Sequence, residues 1–129
     1  MMEKTVGEIA QRQFWSVAPD DTVEAIAQEM VTRHLTWTPV LEGGTLMGVV
    51  SAWDLLHMRA SGLPADTPAW QACTYKPLTV APDTPVSEAA RLMRQAHVHH
   101  LLVMTLDRKI VGIVSPLDLL VEQAGPPVD

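Results

Sequence analysis

The chain has a single cysteine, Cys73, in 129 residues, which excludes an intramolecular disulfide and any multi-cysteine metal site and suits a reducing compartment. Cations are also scarce. Nine Lys and Arg stand against fifteen Asp and Glu, for a formal net charge of −6. Nucleic-acid polymers draw most of their binding affinity from clustered Lys and Arg, so no such partner is expected, although a small anion held by a few local donors stays open. No apolar run approaches the roughly 18 residues of a membrane span, and the N-terminus lacks the apolar core of a signal peptide. The expectation is a cytoplasmic chain with no membrane partner. Tyr and Phe occur once each, leaving Trp15, Trp37, Trp53 and Trp70 as the main aromatic content. For each Trp the ordinary role is core or interface packing, with base stacking as the alternative. At 47% hydrophobic and 19% charged, the composition is that of a globular domain able to form one core from two halves.

What is present is repetition. Gly48-Val49-Val50-Ser51-Ala52-Trp53-Asp54 recurs as Gly112-Ile113-Val114-Ser115-Pro116-Leu117-Asp118, and each copy runs into a Leu-Leu pair. Upstream, Val17-Ala18-Pro19-Asp20 recurs as Val80-Ala81-Pro82-Asp83, while Val23, Ala27, Met30 and His34 return 63 positions later as Val86, Ala90, Met93 and His97. By the Gly48 and Gly112 motif the offset is 64, which places one inserted residue in the turn between. Each copy is too small to bury its own apolar face, so the two are expected to pack together and to present the shared motif twice.

Val23, Ile26, Ala27 and Met30 fall at i, i+3, i+4 and i+7, predicting a helix over 21–33, and Val86, Ala89, Ala90 and Met93 repeat the pattern. Asp21 with Glu24, and Thr84 ahead of Pro85, are the expected helix starts. Two apolar runs follow each helix and read as a hairpin, turning at Glu42-Gly43-Gly44 and at Leu106-Asp107-Arg108. Ser16-Val17 and Thr79-Val80 read as brief strands, and 52–58 and 116–122 as second helices. The expected fold is mixed α/β (α+β): two pseudo-symmetric β-α-β-β-α repeats packed through their sheets. Residues 6–60 form the first repeat, 61–70 a linker, 71–123 the second repeat and 124–129 a frayed tail.

Chemistry is expected where the motif leaves a strand and enters a helix. Ser51 and Ser115 sit near the N-cap, where unpaired N–H groups and the positive end of the helix dipole favour a phosphate. Asp54 and Asp118, three residues on, can accept hydrogen bonds from vicinal hydroxyls such as those of ribose. The plainer alternative is that Ser-x-x-Asp only caps the helix. Duplication would copy a cap as faithfully as a site.

From about Val6 to Gln123 the chain resembles a tandem pair of CBS domains, the arrangement called a Bateman module. The resemblance is carried by Gly-hydrophobic-hydrophobic-Ser-x-x-Asp met twice, by Ala-Pro-Asp before the first helix of each copy, and by the repeat spacing. It implies two clefts that in many relatives bind AMP, ADP, ATP or S-adenosylmethionine. Asp54 and Asp118 would then hold ribose hydroxyls, with Ser51 and Ser115 near phosphate. Val98-His99-His100-Leu101 is similar to a Val-His-Arg-Leu of nucleotide-binding relatives, so His99 and His100 are phosphate candidates. The first copy instead reads Leu35-Thr36-Trp37-Thr38, without a cation, and Thr36 and Trp37 stand at the ligand-contact position. Phe14-Trp15 and Pro77-Leu78 stand where relatives sandwich adenine, which adds Trp15, Pro77 and Leu78 to the ligand-contact set. No cofactor is required on this reading, the adenosyl ligand being regulatory.

Other chemistries are weaker. His97, His99, His100 and His34 would suit zinc only by converging, and adjacent strand residues point to opposite faces. A helix end or a ligand's phosphate is the commoner fate of such histidines. Cys73 beside Ala72 and Trp70 reads as a small apolar residue. No catalytic set is found, so no enzyme and no resident metal are expected. Leu55-Leu56 and Leu119-Leu120-Val121 give the second helices more apolar surface than a solvent-facing helix needs, pointing to self-association, and the resemblance implies a homodimer packed through the helices of both repeats. The function expected is a regulatory module that binds an adenosyl ligand and signals in trans to an unidentified protein. The alternatives are a ligand-free interaction scaffold and a histidine-based metal sensor.

Overall fold

The spacing of apolar residues sets two long helices, α2 (Val23–Arg33) and α5 (Val86–Ala96), each with one buried stripe. Val23, Ile26 and Met30 form the stripe on α2, and Val86, Ala89, Ala90 and Met93 that on α5. Ile26 is 1% exposed, and full burial of such a side chain contributes roughly 1.5–3 kcal/mol. Both helices end at a histidine in the left-handed region, His34 at φ 56° and His97 at φ 55°. Their backbone N–H groups close the last turn, His34 onto the Met30 and Val31 carbonyls and His97 onto that of Met93. The duplicated histidine is thus a helix terminator in both copies.

The helix starts differ from expectation by one residue. Thr22, not Asp21, caps α2, its hydroxyl accepting from the Ala25 N–H, while Asp21 accepts from the Ala18 N–H in the preceding turn. Pro85 is the N-cap of α5 and Thr84 gives no side-chain cap, its N–H closing a turn onto Ala81. Thr22 and Asp21 both have capping chemistry, and tertiary bonds decide between them. The Val23 and Val86 N–H groups bond to the carbonyls of Thr67 and Lys4, which fixes where each helix begins.

The computed structural model describes residues 3–75 and 77–123; the expected frayed tail at 124–129 lies outside them. The remaining elements are α1 (Val6–Ile9), β1 (Trp37–Glu42), β2 (Thr45–Ser51), α3 (Ala52–Ala60), α4 (Ala69–Ala72), β3 (Thr79–Val80), β4 (Leu101–Met104), β5 (Ile110–Val114) and α6 (Pro116–Gln123). They group into two compact units. One takes in residues 15–77, and the other joins the N-terminal segment up to Phe14 to the residues from Leu78 onward. Within the first, β1 and β2 form an antiparallel hairpin, with Val17 bridging parallel to Val40 and Thr74 antiparallel to Val49. Within the second, β3 runs parallel to β4, β4 antiparallel to β5, and Gln11 bridges Ile113. A register irregularity falls at the equivalent step of each hairpin, Val40/Leu41 and Val103/Met104.

The units do not follow the sequence repeats at their edges. The leading helix of the first copy, α1, packs with the second-copy elements: Val6 joins the core of Val86, Leu101, Val103 and Val114. The leading helix of the second copy, α4, packs with the first, where Ala69 joins Val17, Ile26, Val40 and Val50. Backbone bonds repeat the exchange. Val6 and Gly7 donate to Thr84 and Pro82, and Ala69 and Trp70 donate to Asp21 and Pro19. Residues 65–75, which the sequence divides between linker and second repeat, therefore belong structurally to the first-copy unit.

The exchange also explains the motif glycines. A Cβ at Gly48 would lie 2.4 Å from the Thr74 carbonyl oxygen, and one at Gly112 would lie 2.7 Å from that of Gln11. A side chain at either position would push off the segment that bridges the neighbouring strand residue.

Candidate functional site

The first strand-to-helix corner forms where β2 ends and α3 begins. Ser51 is extended, at φ −106° and ψ 159°, and caps α3. Its hydroxyl accepts from the Asp54 N–H at 3.0 Å, and its own N–H donates to Asp54 Oδ2 at 2.9 Å. The Ala52 N–H donates to the Thr36 carbonyl at 2.8 Å, and Trp37 pairs with Ser51 across the hairpin. The structure thus gathers Thr36, Trp37, Ser51 and Asp54 at one place. It also makes Asp54 part of a reciprocal capping box.

The second corner, at the start of α6, has the same frame with different details. The Ser115 N–H donates to Asp118 Oδ2 at 2.8 Å, the Ser115 hydroxyl lies 3.0 Å from that oxygen, and the Asp118 N–H reaches Ser115 Oγ at 3.4 Å. Pro116 replaces Ala52 and has no N–H to donate, so the bond made to Thr36 in the first copy has no counterpart. Gln11 Nε2 donates to Asp118 Oδ1 at 3.1 Å. Both carboxylates are half-buried. An ionised carboxylate has about four lone-pair sites, so each cap leaves acceptor capacity, shared at Asp118 with Gln11. The expected unpaired N–H groups are thus partly used inside the protein.

The histidines separate. His99 is exposed and lines a groove of about 460 Å³ together with Pro116, Arg94 and His97. His100 is half-buried next to β4, at the position equivalent to Trp37. Burial lowers its pKa below the ordinary histidine value, and the neighbouring His99 adds to the shift. Trp15 is half-buried against the core of its unit, with the Arg33 guanidinium 5.1 Å from its ring centroid, and its carbonyl accepts from the Thr38 hydroxyl. Pro77 is half-buried, and Leu78 packs on the core of the other unit. Cys73 is also half-buried, its Sγ close to Gly48, and burial raises its pKa. Among the described residues, no three His, Cys, Asp or Glu side chains are grouped to hold a metal ion, and no helix is long and apolar enough to cross a membrane.

Sequence reasoning missed Gln11 and Arg94. Gln11 lies 107 positions from Asp118 and reaches it only through the exchanged leading segment, so no local spacing signals the contact. Arg94 could have been found, because it replaces Val31 at an equivalent helix position.

The CBS domain family profile matches residues 6–61 and 66–125. A CBS domain-containing protein, YhcV of Bacillus subtilis, is 28% identical over 92% of this chain and 85% of its own length. Other curated relatives are longer: the chain spans 38% of an uncharacterized protein of Methanocaldococcus jannaschii and 23% of an inosine-5'-monophosphate dehydrogenase of Korarchaeum cryptofilum. Among solved structures, CBSX2 from Arabidopsis thaliana in complex with AMP superposes with a TM-score of 0.84 at 27% identity, over 94% of this chain and 96% of that one. A CBS domain protein from Pyrobaculum aerophilum complexed with AMP gives 0.80 at 28% identity, over 93% of both chains. With two matched copies covering nearly all of its length and the doubled Ser-x-x-Asp corner in place, the chain belongs to the CBS domain family as a tandem CBS pair.

Proposed function

We propose that this CBS pair is a non-catalytic regulatory module that binds an adenine nucleotide or related adenosyl ligand and signals its occupancy to a partner protein in trans. The reading is carried by likeness to two proteins solved with AMP, over 94% and 93% of this chain, combined with the doubled corner. Asp118 and Asp54 accept ribose hydroxyls, and Ser115 and Ser51 lie towards phosphate. His99 and His100 supply imidazole N–H donors at the second corner, where the first has Thr36 and Trp37. The second corner is therefore the stronger anion site. Trp15, Pro77 and Leu78 contribute apolar contact for a base.

A ribose hydroxyl at Asp118 Oδ1 competes with the Gln11 amide now bonded there. Gln11 also bridges Ile113 through two backbone hydrogen bonds of 2.9 and 3.0 Å. Ligand thereby bears on the segment that carries α1, which gives it a route to favour one conformation over another. Couplings of this kind are typically about 1–3 kcal/mol. The module works in the cytoplasm as a dimer of two copies, joined through the exposed helix faces.

A ligand-free scaffold is the second reading, favoured by the internal satisfaction of both capping boxes. Thermal unfolding with AMP, ADP, ATP and S-adenosylmethionine separates the two. A ligand at a hundred times its dissociation constant adds about 2.7 kcal/mol of stability. The proposal expects a shift with at least one of the four and its loss in Asp118→Ala. An unchanged midpoint with all four at millimolar concentration would leave the scaffold reading.

A further inference from the structure

The two corners differ in how much of each carboxylate the protein itself uses. At Asp54 the Ser51 N–H donates to Oδ2 at 2.9 Å, and among the described residues no second donor reaches the carboxylate. At Asp118 the Ser115 N–H at 2.8 Å and the Ser115 hydroxyl at 3.0 Å both donate to Oδ2, and the Gln11 amide donates to Oδ1 at 3.1 Å. An ionised carboxylate has about four lone-pair sites, so Asp118 keeps about one for a ligand and Asp54 about three. The residue equivalent to Gln11 in the other copy is Thr74, at the same offset of 63 that relates the helices. Both are anchored alike. Gln11 exchanges backbone bonds of 2.9 and 3.0 Å with Ile113, and Thr74 exchanges bonds of 3.0 and 2.8 Å with Val49. The difference therefore lies in the side chain: an amide long enough to reach the aspartate in one copy, a short hydroxyl in the other.

We infer that Gln11 is a specificity-determining residue that removes the second corner's demand for a vicinal diol, so that this corner takes a sugar with one hydroxyl about as well as a ribose with two. The inference rests on the proposed ribose contact of Asp118 and deepens it. One sugar hydroxyl donates to the acceptor site that Asp118 keeps, at no loss to the protein. The second has to replace the Gln11 amide on Oδ1. That step exchanges one hydrogen bond to the carboxylate for another, and such an exchange yields little net affinity. The Gln11 backbone stays where Ile113 holds it, and only the exposed side chain turns away into water. Asp54 has no such competitor and accepts both hydroxyls, so the vicinal diol is read at the first corner and passed over at the second.

The test uses the full chain carrying Asp54→Ala, which leaves Asp118 as the motif carboxylate open to a sugar, and calorimetric titration with AMP and with 2'-deoxy-AMP. With Gln11 in place the two nucleotides should bind within about twofold of each other. Gln11→Thr brings in the residue of the other copy, and Gln11→Met keeps the length without the donor. Each should tighten AMP by about three- to tenfold, the size of one net hydrogen bond, and 2'-deoxy-AMP by less than about twofold. A merely structural role for Gln11 would move both nucleotides together and leave their ratio unchanged, which would overturn the inference. So would weaker AMP binding in both variants, which would make Gln11 a direct ligand contact, or a gain with Thr but not with Met, which would assign the effect to bulk. Binding of neither nucleotide by any of these proteins would overturn the AMP reading together with the inference, whereas binding with an unaltered ratio would overturn the inference alone. Urea unfolding of each variant distinguishes lost binding from lost folding.

Discussion

Gly48→Ala tests the exchanged architecture most directly. The added Cβ would sit 2.4 Å from the Thr74 carbonyl oxygen, where ordinary contact begins near 3.4 Å, so the Thr74 backbone must move by about 1 Å. That carbonyl and its N–H hold Val49 through bonds of 3.0 and 2.8 Å, and each net backbone bond contributes about 1 kcal/mol. With the strain of overpacking added, a loss of about 2–4 kcal/mol is expected, a large share of the 5–15 kcal/mol typical of a domain. Gly112→Ala, with contacts of 2.7 Å to the Gln11 oxygen and 2.9 Å to the Ala10 Cβ, should cost somewhat less. Gly43→Ala is the control. Its site is open, with nothing within 4 Å, but its φ of +59° leaves about 1 kcal/mol of left-handed strain. Urea unfolding followed by tryptophan fluorescence ranks the three. A Gly48→Ala protein within 0.5 kcal/mol of wild type, or more stable than Gly43→Ala, would refute the close approach as the reason for the motif glycine.

Asp54→Ala and Asp118→Ala each remove a capping carboxylate and should lower stability by about 1 kcal/mol in the same assay, with Asp118→Ala also losing the nucleotide response. His34→Gly and His97→Gly relieve a Cβ at positive φ and should raise the melting temperature, with a gain of up to about 1 kcal/mol each; a fall would mean that the imidazoles do more than end a helix. His100 has a lowered pKa in the folded chain, so below about 6.5 the unfolded chain binds more protons at this position. Its contribution should be intact at neutral pH and decline as pH falls from about 6.5 towards the lowered value, a slope that His100→Asn should flatten. If His100 holds a phosphate, the anion raises its pKa on binding, and calorimetry in buffers of different ionisation enthalpy should detect proton uptake near pH 7.

The long helices and hairpins were legible because their periodicities are local, and the duplication because it is written into the chain. The exchange of α1 and α4 was not. Each is four residues long, too short for a periodic signal, and each is held by backbone bonds to turns far away in sequence. The cap at Thr22 was missed for a related reason, since the Val23 to Thr67 bond chooses between two suitable neighbours. At the site, the Ser-x-x-Asp frames were readable from spacing, and so was their alternative as caps. The amide of Gln11 beside Asp118 was not, because only the exchanged segment brings it there.

That exchange bears on how such a pair can arise from a single-copy precursor. A peptide ending near residue 61 would hold α2, β1, β2 and α3 but not Ala69, which is fully buried in the core of those elements, while its own Val6 would have lost the core that covers it. Two such peptides would complete both cores if each lent the other its leading helix, as the two copies do within this chain. Gene fusion would then have turned a concentration-dependent assembly into an intramolecular one. It would also have freed the two corners to diverge, as Trp37 and His100 have done.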